Sequence, residues 1–446
     1  MLQKGLEVVL IPILRLILRV FFRQIELAGS EKIPPDTPVI YTPNHLNSVL
    51  DGLLARLFLP GEPRPLAKAT LWDITPIRPL LLAARAIPVY RQQDAADSEY
   101  TSANQDMFSS CHAALAQGDS IVLFPEGQSH SEPELQPLKT GAARIALGAE
   151  LRRGPLGVRI IPVGLNFDAK EQFRSRVLIY IGDPINPTEE IEKPDPEDRA
   201  AVDLVTERIE EGIKSVTLNY PSWEEGNIIR RAAELYAKQN SGDPDAEQLK
   251  EEYSINKQLA DAYLQLKDSQ PRRVARIVEA VNAYDRLLKV LSIRHEHVIQ
   301  EHPKLLQTIF SIRKLSLFLV RLPLALMGLF LNALPYYLTR FVSRIKVRPD
   351  RASTTKLFAG IIIYPLCWTL QATLLGSGLL PPTVWWLLAP LSGVSTLLFR
   401  ERHAQLLEEL RTYLKLNTHA EMKQELEQRL QQIQLEIEDI IAVASS

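Results

Sequence analysis

The feature that most constrains this chain is the stretch 357–380, which contains no charged side chain. A helix that crosses a bilayer needs about 20 apolar residues, so this stretch predicts a membrane helix. Residues 383–399 form a second apolar stretch, and Pro381 and Pro382 between the two are a turn signal. The sequence therefore predicts a membrane helical hairpin.

A basic loop precedes this hairpin, since six Lys and Arg residues fall between positions 340 and 356. An excess of positive charge is typical of loops on the cytoplasmic side of a membrane. The apolar stretch 315–338 comes before the loop, and its arginine, its asparagine and its two prolines suit a straight spanning helix poorly. We interpret it as re-entrant or interfacial with both ends in the cytoplasm, and we predict that residues 313–400 are embedded in the membrane.

Residues 1–24 predict an amphipathic helix with Lys4, Arg15, Arg19 and Arg23 on one side and a mostly apolar remainder. This pattern is typical of a helix that lies in the membrane surface with its cations at the level of the headgroups. One alternative is a buried first helix of the globular part. Another is a cleaved signal sequence, although the arginines interrupt the apolar core that such a sequence needs.

Residues 25–220 alternate short β-rich runs with helical patterns such as 48–58 and 140–151. Several of these runs are continuously apolar, which is typical of strands covered by helices on both faces. The predicted fold class is α/β, with a central sheet flanked by helices and with polar motifs at the strand ends, where such folds place their sites. The predicted strands are Pro38–Thr42, Pro65–Lys68, Ile87–Tyr90, Ile121–Phe124, Val158–Leu165 and Val177–Ile181.

Two further regions are helical in pattern. Residues 221–312 are highly charged and predict a helical spacer, whereas the tail 401–446 predicts an amphipathic helix with apolar residues at spacings of three and four. The tail helix can pack either on its own chain or on a second copy of the chain in an oligomer. The formal net charge of −2 argues against a nucleic-acid partner, and two cysteines are too few for a disulfide scaffold or a cysteine-based metal site.

The first polar motif follows the strand 38–42 and runs from Asn44 to Asp51. It contains His45, and a histidine beside a carboxylate is the usual general base, because the carboxylate fixes the tautomer and stabilises the imidazolium. The alternative is structural, since Ser48 followed three residues later by Asp51 is also a capping-box pattern. Both interpretations remain open at this point.

The second motif follows the strand 121–124 and contains Glu126, Gly127 and Ser129, with Lys139 at the start of the next helical pattern. Glycine lets a polar substrate approach the backbone, although a plain strand-to-helix loop has a similar composition. No G-x-S-x-G pattern is present, so a nucleophile elbow is excluded.

The third candidate is a pair of cations at strand ends, Lys68 and Arg91, which suits a phosphate group. Single cations of this kind are more often solvated surface charges. The histidines show no metal-ligand spacing, and no phosphate-binding loop or dinucleotide fingerprint is present.

Four blocks in this order resemble the membrane glycerophosphate acyltransferase superfamily, the glycerol-3-phosphate and 1-acylglycerol-3-phosphate acyltransferases. They are the His45–Asp51 block, Ile87–Arg91, Phe124–Gly127 and Ile160–Gly164, and they cover about residues 35–190. The resemblance implies an α/β acyltransferase domain at a membrane surface, with His45 as the general base and Asp51 orienting it. It also implies that Glu126, Gly127, Arg91 and Lys139 hold the acceptor that carries the phosphate.

Three departures from the family pattern are present. Five residues separate His45 from Asp51, where the common spacing has four, so the turn at Asn47 and Ser48 has to absorb about 100° of helical rotation. The longer spacing resembles a subgroup similar to the fungal glycerol-3-phosphate and dihydroxyacetone-phosphate acyltransferases. Ser129 replaces a common arginine, which shifts phosphate binding toward Lys139 and Arg91, and Arg85 replaces a common glycine.

The resemblance implies an O-acyltransferase of phospholipid biosynthesis that moves a fatty acyl chain from an acyl thioester to glycerol 3-phosphate. Lysophosphatidate and dihydroxyacetone phosphate are alternative acceptors. A further alternative is that the chain is not an enzyme but a membrane scaffold with an inactive acyltransferase fold. The implied mechanism needs no metal and no cofactor apart from acyl-CoA or acyl-carrier-protein thioester as co-substrate. We expect the catalytic domain on the cytoplasmic face of a lipid bilayer.

Overall fold

The computed structural model describes residues 2–75, 77–90, 97–237, 248–291, 293, 295, 298, 312–345, 348–375, 381–418 and 420–444. The chain divides into two compact units. The first, here called the α/β unit, consists of Met1–Trp223 together with Arg348–Thr354. The second, the helical unit, consists of Glu224–Val347 together with Thr355–Ser446.

The α/β unit contains a seven-stranded mixed sheet surrounded by helices. Its strands are β1 (Gln24–Ala28), β2 (Val39–Pro43), β3 (Arg64–Lys68), β4 (Ile87–Val89), β5 (Ile121–Val122), β6 (Arg159–Phe167) and β7 (Arg176–Ile181). Its helices are α1 (Leu2–Phe21), α2 (Val49–Phe58), α3 (Arg78–Ala83), α4 (Asp97–Ala116), α5 (Gly141–Arg153) and α6 (Arg199–Val216).

The strand order in the sheet is β1-β7-β6-β2-β5-β3-β4. Strands β6, β2, β5, β3 and β4 are all parallel to one another, and only the pair β6 and β7 is antiparallel. Parallel strands end at the same edge of a sheet, so the carboxyl ends of these five strands lie along one edge. Within the described residues, the four sequence blocks of the resemblance belong to these strands, to the segments that follow them or, for residues 49–51, to the first turn of α2.

Apolar residues of the sheet alternate between two cores, as the period of two in a strand requires. Ile40 of β2 packs with Ile121 and with the buried faces of α4, α5 and α6, whereas the next residue, Tyr41, packs on the other side with Val122 and α2. Helices therefore cover both faces of the sheet, and the predicted α/β fold class is confirmed.

Each predicted strand is present, with ends shifted by at most two residues. Strand β1 is not predicted from the sequence, because Gln-Ile-Glu-Leu-Ala is short and combines polar with apolar residues. Its hydrogen-bonding partner is β7, which follows about 150 residues later. Helices α3 and α4 are also absent from the prediction.

The N-terminal helix α1 has two different apolar faces. One face buries Ile11, Leu14 and Leu18 in the α/β unit, and the other leaves Val8, Val9, Pro12, Ile13 and Leu16 exposed. Arg15 belongs to the packed side, where its Nε donates to the carbonyl of Leu57 over 3.1 Å. The alternatives of a packed first helix and a membrane-surface helix are therefore compatible, and the second stays a prediction.

The helical unit contains six helices in the described residues in addition to most of α7 (Trp223–Ala237). They are α8 (Gln248–Ser269), α9 (Pro271–Leu291), α10 (Ile312–Val342), α11 (Ala352–Leu375), α12 (Pro382–Thr418) and α13 (Ala420–Ala444). The apolar stripe of α13 is buried, and its Ile440 packs with Ala262 and Leu266 of α8. This stripe of the predicted tail helix is therefore covered within its own chain.

Helices α10, α11 and α12 provide three segments long and apolar enough to cross a membrane: Arg321–Val342, Pro349–Leu374 and Pro382–Glu401. The chain is accordingly a membrane protein. Polar contacts join these helices, since Asn332 of α10 donates to the carbonyl of Ala389 over 3.2 Å and accepts from Trp368 Nε1 over 3.1 Å. Helix α10 continues through both of its prolines, so it contains no re-entrant turn. Whether 315–338 lies in the interface or spans the membrane stays a prediction.

Candidate active site

The polar residues of the predicted site lie in the loops that follow parallel strands. His45 comes two residues after β2, Glu126 comes after β5, and Lys68 is the last residue of β3. Because β2, β5 and β3 are neighbours in that order, Lys68 lies two strands away from the strand that leads to His45. Arg91 lies outside the described residues, so its place in the site stays a prediction.

His45 and Asp51 form a hydrogen-bonded pair. The Nδ1 atom of His45 lies 2.9 Å from Oδ2 of Asp51, whose carboxylate is fully buried. The same oxygen accepts the backbone N–H of Asn47 over 2.6 Å, so it meets a second donor. An ionised carboxylate only accepts, so Nδ1 carries the proton and Nε2 is left as the basic atom. The imidazole also stacks on Phe124, with 4.1 Å between ring centroids.

The turn between these residues absorbs the five-residue spacing at Ser48. Its backbone has φ of +53° and ψ of −129°, a conformation that residues with a side chain rarely adopt. The Ser48 side chain makes no capping hydrogen bond to α2, and Asp51 reaches back to Asn47 instead of to Ser48. The capping-box alternative is therefore wrong, because Asp51 bonds the residue before the cap position together with His45.

Glu126 is buried and bonds to the loop that carries His45. Its Oε1 accepts the backbone N–H of His45 over 2.7 Å, and its Oε2 accepts the N–H of Gln136 over 3.0 Å. His130 also pairs with Oε2 through Nε2, and its Nδ1 accepts the N–H of Glu132, which assigns the proton of His130 to Nε2. These contacts orient the backbone on both sides of the site.

Gly127 and Lys139 are in direct contact. Gly127 has φ of +71°, and a Cβ atom there would lie 2.8 Å from Cδ of Lys139. Any other residue would therefore both strain the turn and push the lysine away. Ser129, two residues on, donates its hydroxyl to Oδ2 of Asp350 over 2.6 Å, a contact with no signal in the sequence.

Two residues that the sequence analysis missed hold this edge together. Asn44 pairs with the backbone of Leu165 in β6, accepting its N–H over 2.7 Å and donating to its carbonyl over 3.4 Å. Lys170 follows β6 and donates to Ser131 Oγ over 2.8 Å. Burial lowers the pKa of Lys170, while nearby carboxylates, Asp51 first among them, oppose that shift. Lys170 could be predicted as a site candidate from the sequence, because it follows a parallel strand.

Buried polar atoms remain at the turn itself. Among the residues that the structure describes, Asn47 Oδ1, Asn47 Nδ2 and Asp51 Oδ1 have no hydrogen-bond partner. Unpaired buried polar atoms cost about 1–3 kcal/mol each, and functional sites are where they occur. Within the described part of the chain, no cluster of three or more His, Cys, Asp or Glu residues is arranged to hold a metal ion.

Two family models match the chain. Residues 24–166 match the family described as Acyltransferase, and residues 228–360 match the family described as glycerol-3-phosphate acyltransferase 2 C-terminal domain. The first match contains the strands β1 to β5 and most of β6, with their loops. The second begins in α7 and ends in α11.

Two curated relatives come from Saccharomyces cerevisiae. The chain is 26% identical over 378 residues to glycerol-3-phosphate O-acyltransferase 2, covering 78% of this chain and 48% of that protein. It is 30% identical over 257 residues to glycerol-3-phosphate O-acyltransferase 1, covering 56% of this chain and 33% of that protein. The chain thus spans half or less of the curated relatives that it matches.

A solved structure is also similar in part. The 1-acyl-sn-glycerophosphate acyltransferase of Thermotoga maritima aligns with 48% of this chain and 78% of its own, with 18% identity and a TM-score of 0.34. A TM-score this low carries no argument about the fold. The family models and the curated relatives confirm the resemblance predicted from the four sequence blocks.

Proposed function

We propose that this chain, which carries an acyltransferase-family domain over residues 24–166, moves a fatty acyl chain from an acyl thioester to glycerol 3-phosphate. The observation that carries the proposal is the pair formed by His45 and Asp51 at the carboxyl edge of the sheet. The names of the curated relatives favour glycerol 3-phosphate over lysophosphatidate and dihydroxyacetone phosphate, which remain the alternative acceptors.

The mechanism uses His45 as a general base. Its Nε2 takes the proton from the acceptor hydroxyl while that oxygen attacks the thioester carbonyl, and the buried Asp51 carboxylate stabilises the imidazolium that forms. Collapse of the tetrahedral intermediate breaks the carbon–sulfur bond, and the imidazolium returns the proton to the thiolate. The products are an ester and a free thiol, with the thioester as the only co-substrate. Because the acceptor oxygen attacks the thioester directly, no covalent enzyme intermediate forms.

The acceptor phosphate is bound by cations at the same edge. Lys139 lies against Gly127, and Lys170 adds a second ammonium group at the loop of His130. Lys68 and Arg91 complete the proposed acceptor site. Ser129 contributes to it only indirectly, because its hydroxyl donates to Asp350. Glu126 does not bind the phosphate itself, because its carboxylate is buried and would repel that group. It supports the site indirectly, because it accepts the backbone N–H of His45.

The enzyme works at a bilayer surface with the α/β unit on the cytoplasmic side. The exposed apolar face of α1 suits the headgroup region, and the cations between positions 340 and 356 favour a cytoplasmic location for that segment. An acyl thioester made in the cytoplasm then reaches the site without crossing the membrane.

An assay of acyl transfer with the purified full chain tests the proposal. The donors are acyl-CoA and acyl-carrier-protein thioesters, and the acceptors are glycerol 3-phosphate, dihydroxyacetone phosphate and lysophosphatidate. We expect glycerol 3-phosphate to give the highest kcat/KM. Preference for another acceptor moves the proposal to that acceptor, and no transfer to any of the three by well-folded protein refutes it.

A further inference from the structure

A segment remote in sequence belongs to the α/β unit. Residues Arg348–Thr354, here called the strap, follow β7 by more than 160 positions and include the beginning of α11, yet they cluster with the α/β unit. Neither the acyltransferase family match, which ends at residue 166, nor the motif analysis gives the strap a part in the site.

Thr354 of the strap bonds directly to the catalytic turn. Its hydroxyl donates to the carbonyl of Asn47 over 2.7 Å and accepts the N–H of Leu50 over 3.3 Å. These two groups lie on either side of Ser48, whose φ of +53° absorbs the five-residue spacing. The backbone N–H of Asn47 in turn bonds to Asp51 Oδ2, the oxygen that contacts His45. Two hydrogen bonds therefore connect Thr354 to Asp51, and a third connects Asp51 to the proposed base.

Two further contacts hold the strap in place. Asp350 is buried and accepts the Ser129 hydroxyl over 2.6 Å. Within the strap, Asp350 also accepts the Arg348 guanidinium over 3.1 Å. Ser353 is fully buried and donates its hydroxyl to the carbonyl of Lys170. The strap thus bonds to the loops after β2, β5 and β6, the three strands that bring the proposed site together.

We propose that Thr354 is a positioning residue that holds the turn of Asn47 and Ser48 in the conformation that pairs Asp51 with His45. The inference rests on the proposed acyl transfer. A rare backbone conformation persists only where its surroundings fix it. Here the one hydroxyl of Thr354 bonds the carbonyl of Asn47 before Ser48 and the N–H of Leu50 after it. A side chain without a hydroxyl removes both of these bonds and leaves across the turn only the direct bond from the N–H of Leu50 to the carbonyl of Asn47, over 3.2 Å. The turn then relaxes away from His45.

The test compares three variants of the full chain in the acyl-transfer assay. Thr354→Val keeps the shape of the side chain and removes the hydroxyl, Thr354→Ser keeps the hydroxyl, and Thr206→Val is the matched control. Thr206 makes a hydroxyl contact of the same kind to a carbonyl in α6, over 2.7 Å, away from the site. Thermal unfolding of each variant accompanies the kinetics.

We expect Thr354→Val to lower kcat about tenfold or more, the effect of losing one or two hydrogen bonds that act on the base, with both KM values within about twofold of wild type. Thr354→Ser should recover kcat to within about threefold, and Thr206→Val should leave it unchanged. Hydrogen exchange gives a second readout, because backbone amides in residues 44–52 should exchange faster in Thr354→Val while those of α5 do not.

Three results would overturn the role of Thr354: wild-type kcat in Thr354→Val, an equal loss of kcat in Thr354→Ser, or a loss that appears only in KM. If Thr354→Val does not fold, Thr354→Ala replaces it and the same criteria hold. A wild-type chain without acyl transfer refutes the proposed function instead, and the exchange of residues 44–52 still decides whether Thr354 holds the turn.

Discussion

The two units use buried and half-buried polar side chains in different ways. In the α/β unit, Glu126 and Thr354 bond to the main chain of loops that lead to His45. In the helical unit, such side chains join one helix to another or to a neighbouring segment, as Asn332 does with Trp368 and as Tyr284 does with His295 over 3.0 Å. A polar substitution should therefore change mainly activity in the first unit and mainly stability in the second.

The largest expected difference between the two units is between alanine substitutions of two histidines, one in each unit. We expect His45→Ala to lower kcat by about 10²–10⁴-fold, the usual contribution of a general base, with little change in thermal unfolding. His295→Ala removes a buried partner of Tyr284 in the helical unit and should lower the midpoint of thermal unfolding while kcat stays within about twofold. Near-wild-type turnover in His45→Ala would remove His45 as the base.

The next largest effect is expected for Glu126→Gln. The new amide donates where Glu126 accepts from Gln136 and His130, so the loop that bonds His45 loses its fixed geometry. The loss of about 1–3 kcal/mol predicts a fall in kcat of roughly tenfold to a hundredfold, with an unchanged acceptor KM. An acceptor KM that rises at constant kcat would show instead that Glu126 contacts the substrate.

The site residues that could be predicted from the sequence are those that lie at the ends of strands. His45, Glu126 and Lys68 each follow a continuous apolar run, and the parallel sheet brings such ends to one edge. The same rule also indicates Lys170 after β6, once the loops after all parallel strands are searched. The paired histidine and carboxylate are predictable because their chemistry leaves a local pattern.

The strap has no such pattern. Asp350 lies just before α11 and Thr354 lies in its first turn, and their partners Ser129 and Asn47 are more than 200 positions away. Single polar contacts at that separation depend on the tertiary structure and leave no periodicity. The φ of Ser48 is equally hidden, because the sequence shows that the spacing has to be absorbed but not which residue adopts the rare conformation.

A smaller effect, on binding alone, is expected for Lys139→Met. Removing a cation that bonds a phosphate costs about 1.5–3 kcal/mol, so the acceptor KM should rise at least about tenfold while the donor KM stays the same. Lys267→Met is the matched control, since Lys267 pairs with Glu225 in the helical unit over 2.6 Å. If the donor KM rises instead, Lys139 belongs to the thioester site.

The smallest effect is expected for Asn332→Ala among the apolar helices. The change removes the acceptor of Trp368 Nε1 and the donor to the Ala389 carbonyl. Hydrogen bonds between membrane helices contribute about 0.6–2 kcal/mol, so thermal unfolding in detergent should shift by only a few degrees at unchanged kcat. A kcat that falls more than about threefold in well-folded Asn332→Ala would break the division between the units, because it would make a polar contact of the helical unit part of the catalytic geometry.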